Sequence, residues 1–107
     1  MTLHTVNKSP YISQCLADCL DRVSAGDSVV LIEDGVYGVN CATSDSLSAL
    51  NTVITKLLAL DVQFCALRPD IEARGLQTAS ANCPFNLLSD GDLVDLVCEA
   101  DKTLSWY

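Results

Sequence analysis

The sequence predicts an α/β domain, a three-layer α/β/α sandwich around a mostly parallel five-stranded sheet. Three observations carry that class. Residues 28–32, SVVLI, form a β-branched run without polar alternation, the pattern of a strand covered on both faces. Strand and helix signals alternate along the whole chain. Polar turns follow three strands, at Asn7 to Ser9, Glu33 to Tyr37 and Arg68 to Asp70, which puts them on the sheet edge where open α/β folds form their ligand crevice. At 107 residues the chain is one domain, 1–107, with material for one core.

Leu3 to Val6 reads as the first strand. Ser9 then offers an N-cap and Pro10 a first helical position, where its missing N–H costs nothing. Ile12, Cys15, Leu16, Cys19, Leu20 and Val23 recur on one helical face, and Ala25-Gly26-Asp27 returns the chain to the central strand. Glu33-Asp34-Gly35 stops that strand. A second helix runs from about Ser46 to Leu60, with Leu47, Leu50, Val53, Ile54, Leu57 and Leu58 inward, and Asp61 breaks it. Val62 to Leu67 is the third strand. Pro69 starts a short helix that Gly75 ends. Asn82 to Leu88, interrupted by Pro84, is a short fourth strand. Asp90 or Asp92 caps a last helix through about Ala100, and Thr103 to Trp106 is the fifth strand.

Fourteen acidic residues stand against six basic ones, a formal charge of -8. Without a Lys/Arg cluster, a direct grip on a phosphate backbone is not expected, and a basic protein partner suits the chain better. No apolar run approaches the roughly 20 residues of a membrane-spanning helix. The N-terminus lacks a signal-peptide layout, so a soluble, cytoplasmic protein is expected.

The cysteines are Cys15, Cys19, Cys41, Cys65, Cys83 and Cys98. In a reducing compartment they read as free thiols, several of them packing as small apolar groups. There is no CxxC or HxxxH spacing and one His, so neither a metal nor another cofactor is expected. Cys19 lies in the apolar stripe one turn after Cys15, where periodicity reads both as core. Asp18 and Asp21 disfavour a thiolate there, with Arg22 the only local help. Cys41 follows the strand-end turn in a Thr/Ser-rich loop. Cys65 and Cys98 read as core, and Cys83 is left open.

At the predicted crevice, His4 reads as an acid/base group or a hydrogen-bonded structural residue, the second being commoner for a lone His in an apolar strand. Glu33 and Asp34 read as an acid pair or as capping carboxylates, with capping favoured. Gly35 and Tyr37 complete that turn. Lys8, Ser9, Arg68 and Arg74 are the polar groups nearby, a positive spot or simply solvated surface. Trp106 and Tyr107 are either tucked over the sheet or part of a subunit contact.

With these residues laid out, the sequence resembles the DsrH/TusB family of sulfur-relay proteins, within the DsrE-like fold group. The likeness rests on LHTVNKSP from Leu3 to Pro10, GDSVVLIEDGVY from Gly26 to Tyr37, RPDIEARG from Arg68 to Gly75, and the ending LVDLVCEADKTLSWY with its penultimate Trp. The resemblance implies a subunit of a cytoplasmic heterohexamer with DsrE/TusD-like and DsrF/TusC-like sister chains. Such a complex passes persulfide sulfur between donor and acceptor proteins, toward thiolation of the tRNA wobble uridine or in dissimilatory sulfur oxidation. Cys19 falls where the sulfur-oxidation branch has a cysteine, which makes it the candidate persulfide carrier. The alternative is a non-catalytic assembly subunit scaffolding a sister chain that bears the active cysteine. An isolated copy is expected to be able to form homo-oligomers through the face meant for its sisters.

Overall fold

The fold is described from a computed structural model over residues 1–43, 47–76 and 83–107. The elements are β1 (Thr2–Val6), α1 (Cys15–Leu20), β2 (Ser28–Leu31), a 3₁₀ segment (Glu33–Thr43), α2 (Ser48–Leu58), β3 (Gln63–Leu67), α3 (Arg68–Ala73), β4 (Asn86–Leu88), α4 (Asp90–Glu99) and β5 (Lys102–Trp106). All five strands are parallel, in the order β4-β3-β2-β1-β5. The α/β sandwich expected from the alternation is the observed architecture, with a wholly parallel sheet. β2 is buried at all four positions, as its unbroken apolar run requires.

Side chains one apart along a strand point to opposite faces, and the two faces are covered unequally. On the first face Val6, Val29, Leu31, Phe64 and Ala66 pack with Leu16, Cys19 and Leu20 of α1, Val36 and Val39 of the 3₁₀ segment, and Ile54 and Leu57 of α2. Phe64 meets Phe85 edge to face, ring centres 5.6 Å apart. Full burial of each such aromatic or branched side chain stabilises by about 2 kcal/mol. The second face has a smaller core of Leu3, Val30 and Cys65, roofed by Leu93 and Leu96 of α4 and by Ala100, all partly buried.

Local signals place several ends. Asp61, at φ 63°, takes the left-handed position after α2, and the Val62 N–H returns to the Leu57 carbonyl. Pro69 starts α3, and Gly75, at φ 63°, follows its end. Gly35 is required by packing: a Cβ there would lie 2.0 Å from the Val6 carbonyl oxygen.

Three sequence expectations are corrected. The first helix begins at Cys15, not at Pro10. Ser9 Oγ instead accepts from the Tyr11 N–H in a local turn, and Ile12 is 83% exposed. Second, the cap of α4 is Ser89. Its hydroxyl accepts the Asp92 N–H, and the Asp92 carboxylate accepts the Ser89 N–H, a reciprocal capping box. Third, α4 has no fully buried residue, and Cys98, expected in the core, is exposed, as are Val94 and Val97. The expected starts of the second helix at Ser46 and the fourth strand at Asn82 lie outside the described residues.

Candidate functional site

The carboxyl ends of β1, β2 and β3 meet in a seam of hydrogen bonds. The Ile32 N–H donates to the Val6 carbonyl at 3.0 Å, and the Gly35 N–H to the Ile32 carbonyl at 2.8 Å. Glu33 sits between them at φ 50°, a backbone conformation that non-glycine residues rarely adopt. It is held by the Asp70 carboxylate, which accepts the Glu33 N–H at 2.7 Å. The Arg74 guanidinium then donates from Nε and Nη2 to Asp34 Oδ1, at 3.0 and 2.9 Å, and from Nη1 to the Asp70 carbonyl. Asp34, Asp70 and Arg74 thus fasten the turn after β2 to α3. This corrects the expected capping role of Glu33 and Asp34: the carboxylate that caps the 3₁₀ segment comes from Asp70. It also removes Arg74 from any positive spot, because two acids already engage it.

Lys8 and Arg68 are exposed at this edge, Ser9 is buried and Tyr37 half-buried in the 3₁₀ segment. Asn7, in the turn after β1, has its Oδ1 buried without a partner among the described residues. Cys41 falls in the same 3₁₀ segment, but its side chain is outside the described part.

His4 lies deeper, on the first face of β1, and is 2% exposed. Its Nε2 is 3.2 Å from Asp27 Oδ2, and its Nδ1 accepts the Trp106 indole N–H at 3.1 Å. Since Nδ1 is an acceptor, Nε2 carries the proton and donates to the carboxylate. Asp27 also accepts the N–H groups of Thr2 and Ser24. Burial works to raise the Asp27 carboxyl, but those two N–H groups and His4 outweigh it and hold the group below its ordinary value. His4 is thus buried and hydrogen-bonded at both ring nitrogens, away from the open edge of the crevice. Trp106 is tucked against it, while Tyr107 stays exposed.

The thiols divide by accessibility. Cys19 has no exposed surface, and burial, then the neighbouring Asp27 carboxylate, pushes it up to about 12. Cys65 is buried in β3 and raised by burial. Cys15 is half-buried, as is Cys83, whose Sγ lies within hydrogen-bonding range of the Val39 and Phe85 carbonyls; Cys98 is exposed. Among the described residues no group of three or more His, Cys, Asp or Glu is placed to hold a metal ion.

The structure thus brings Asp34 and Gly35 together in one seam, puts His4 in a separate buried triad, and turns Cys19 inward on the buried side of α1. Asp27, Asp70 and Trp106 are the groups that sequence reading missed as partners. Only the Ser-Ala-Gly-Asp turn before β2 hinted at the first.

The fold and this strand-end seam define a small, wholly parallel α/β domain. The same architecture occurs in the solved structure of the ychN protein from E. coli, at a TM-score of 0.73 over 98% of this chain and 97% of that one, with 17% identity. The chain belongs to the DsrH family: residues 8–103 match the family described as DsrH like protein. It is 36% identical to Protein TusB of Pectobacterium parmentieri over 104 residues, and 34% identical to Protein TusB of Pectobacterium carotovorum over the same length. Each match takes in 97% of this chain and 99% of the relative. No helix among the described residues is long and apolar enough to cross a membrane.

Proposed function

We propose that this chain is a subunit of a cytoplasmic sulfur-relay complex, assembled with DsrE/TusD-like and DsrF/TusC-like sister chains. In it the chain holds the assembly together while a sister bears the sulfur-carrying cysteine. Family membership supports the relay, and the relatives' name, TusB, favours the branch directed at tRNA wobble-uridine thiolation. The observation that carries the division of labour is Cys19. A persulfide carrier attacks the outer sulfur of a donor persulfide as a thiolate, forms a new S–S bond and releases the donor thiolate. Cys19 has neither the access nor the thiolate character for that step while α1 is packed.

The test is a persulfide donor given to the complex, followed by intact-mass analysis of each chain. The expected adduct of about 32 Da, one persulfide sulfur, appears on a sister chain and not on this one. An adduct on this chain within the complex, lost in Cys19→Ser, would instead make Cys19 a carrier that its partners uncover.

A further inference from the structure

The second face of the sheet is only partly roofed among the described residues, and one half of it is open. Asp92, Asp95 and Glu99 share a groove with Gln63, Cys65 and Leu88, so the acidic flank of α4 faces the β3–β4 side. At about 100° per residue, Val94 and Val97 leave α4 on the opposite flank, toward β1 and β5. They are 59% and 44% exposed, and the exposed Cys98 follows Val94 by one turn. Beneath that flank, Thr5, Thr103 and Ser105 share the face of Leu3 by strand alternation and register. The Thr5 hydroxyl donates to Ser105 Oγ at 3.2 Å, and the pair is exposed. Small side chains form a floor and two valines form a wall, where on the first face α1 lies beside β1.

We infer that this open half-face seats a helix of a different protein chain, one whose apolar ridge is flanked by Lys and Arg. The inference rests on the assembly reading above and assigns it a surface. Charge selects the occupant. Asp90 lies on the same flank as Val94 and Val97, Asp92, Asp95 and Glu99 lie on the other, and no Lys or Arg occurs between Arg74 and Lys102, so both flanks of α4 are acidic. A second copy would bring the same acids against themselves, whereas a basic partner neutralises them as it covers the valines.

The test uses this chain co-expressed with its two sister chains. Cys98 alkylation is followed by peptide mass spectrometry, free and in the complex. Affinity is measured for the wild type, Val94→Gln/Val97→Gln and Asp90→Lys, all on the surface and checked for folding by circular dichroism. The complex is expected to slow Cys98 alkylation by more than about tenfold, and the valine pair to weaken binding by a similar factor. Asp90→Lys is expected to weaken binding and flatten its salt dependence. If the complex forms, but Cys98 reacts at its free rate and both variants bind as wild type, the inference is overturned and the assembly reading survives. If no complex forms, both fall. If the chain alone sediments as a dimer with Cys98 protected, the seat belongs to a second copy, and the inference is again overturned.

Discussion

The indole N–H of Trp106 donates to Nδ1 of His4 across 102 positions of sequence, joining the last strand to the first. The imidazole passes the constraint on, because its other nitrogen donates to Asp27 at the entry to β2. One buried ring therefore ties β1, β5 and the turn before β2 into a single unit. The indole N–H makes Nδ1 the acceptor, which leaves Nε2 to face the Asp27 carboxylate.

Trp106→Phe keeps an aromatic ring over His4 and removes the donor. It is expected to cost about 1 kcal/mol, the worth of one buried hydrogen bond with its partner left unmet. Urea unfolding followed by circular dichroism measures this, and nitrogen chemical shifts of His4 should show the Nε2–H tautomer in the wild type. An unchanged midpoint would mean that the bond adds nothing.

Asp27 sets an acid limit on stability. Its folded carboxyl is held below the ordinary value near 3.8, so the unfolded chain takes up the proton more readily. The stabilisation is present above that unfolded value and is lost as pH falls through the lower folded one. Asp27→Asn should flatten the decline in stability below about pH 4. Thermal melts from pH 6 to pH 2.5 test it, and parallel curves for the two proteins would refute the assignment.

Gly35→Ala has no room for its methyl group, because the obstacle is the backbone oxygen of Val6 rather than a side chain that can turn aside. Either β1 or the 3₁₀ segment must shift, breaking the seam at Ile32. A loss of more than about 2 kcal/mol is expected, at the upper end for overpacking. A Gly26→Ala control separates crowding from backbone effects: Gly26 has open space for a Cβ but a positive φ.

Thiol alkylation in the folded chain should proceed in a fixed order among the described cysteines. Cys98 reacts first, Cys15 and Cys83 more slowly, and Cys19 and Cys65 only when the domain opens. Peptide-resolved mass spectrometry over a time course gives the order. Early modification of Cys19 would show that α1 lifts without global unfolding.

The alternation of strands and helices was legible because β2 and β3 are continuous apolar runs and because Gly26, Asp61 and Gly75 mark real turns. What misled the reading of α1 was a hydroxyl with two possible uses: Ser9 can cap a helix or hold a turn, and it holds the turn with Tyr11. α4 failed differently. Its apolar arc is wide enough to offer two faces, and periodicity cannot say which of Leu93 or Val94 meets the sheet. The site was the least legible part. Asp34 meets Arg74 forty positions away and His4 meets Trp106 at the far end of the chain, pairings that only the sheet order creates.

That order also has a consequence for how the domain folds. Among the described residues β5 pairs only with β1, so β1 to β4 can align while the outer edge of β1 and the Nδ1 of His4 still wait for β5. Closure of the β1–β5 pair joins residues 100 positions apart, as at Thr5 and Ser105, and so carries the largest loop-closure cost in the sheet. Until β5 docks, the domain carries a bare strand edge at β1, where a chaperone or an early-binding partner would find it most open to capture.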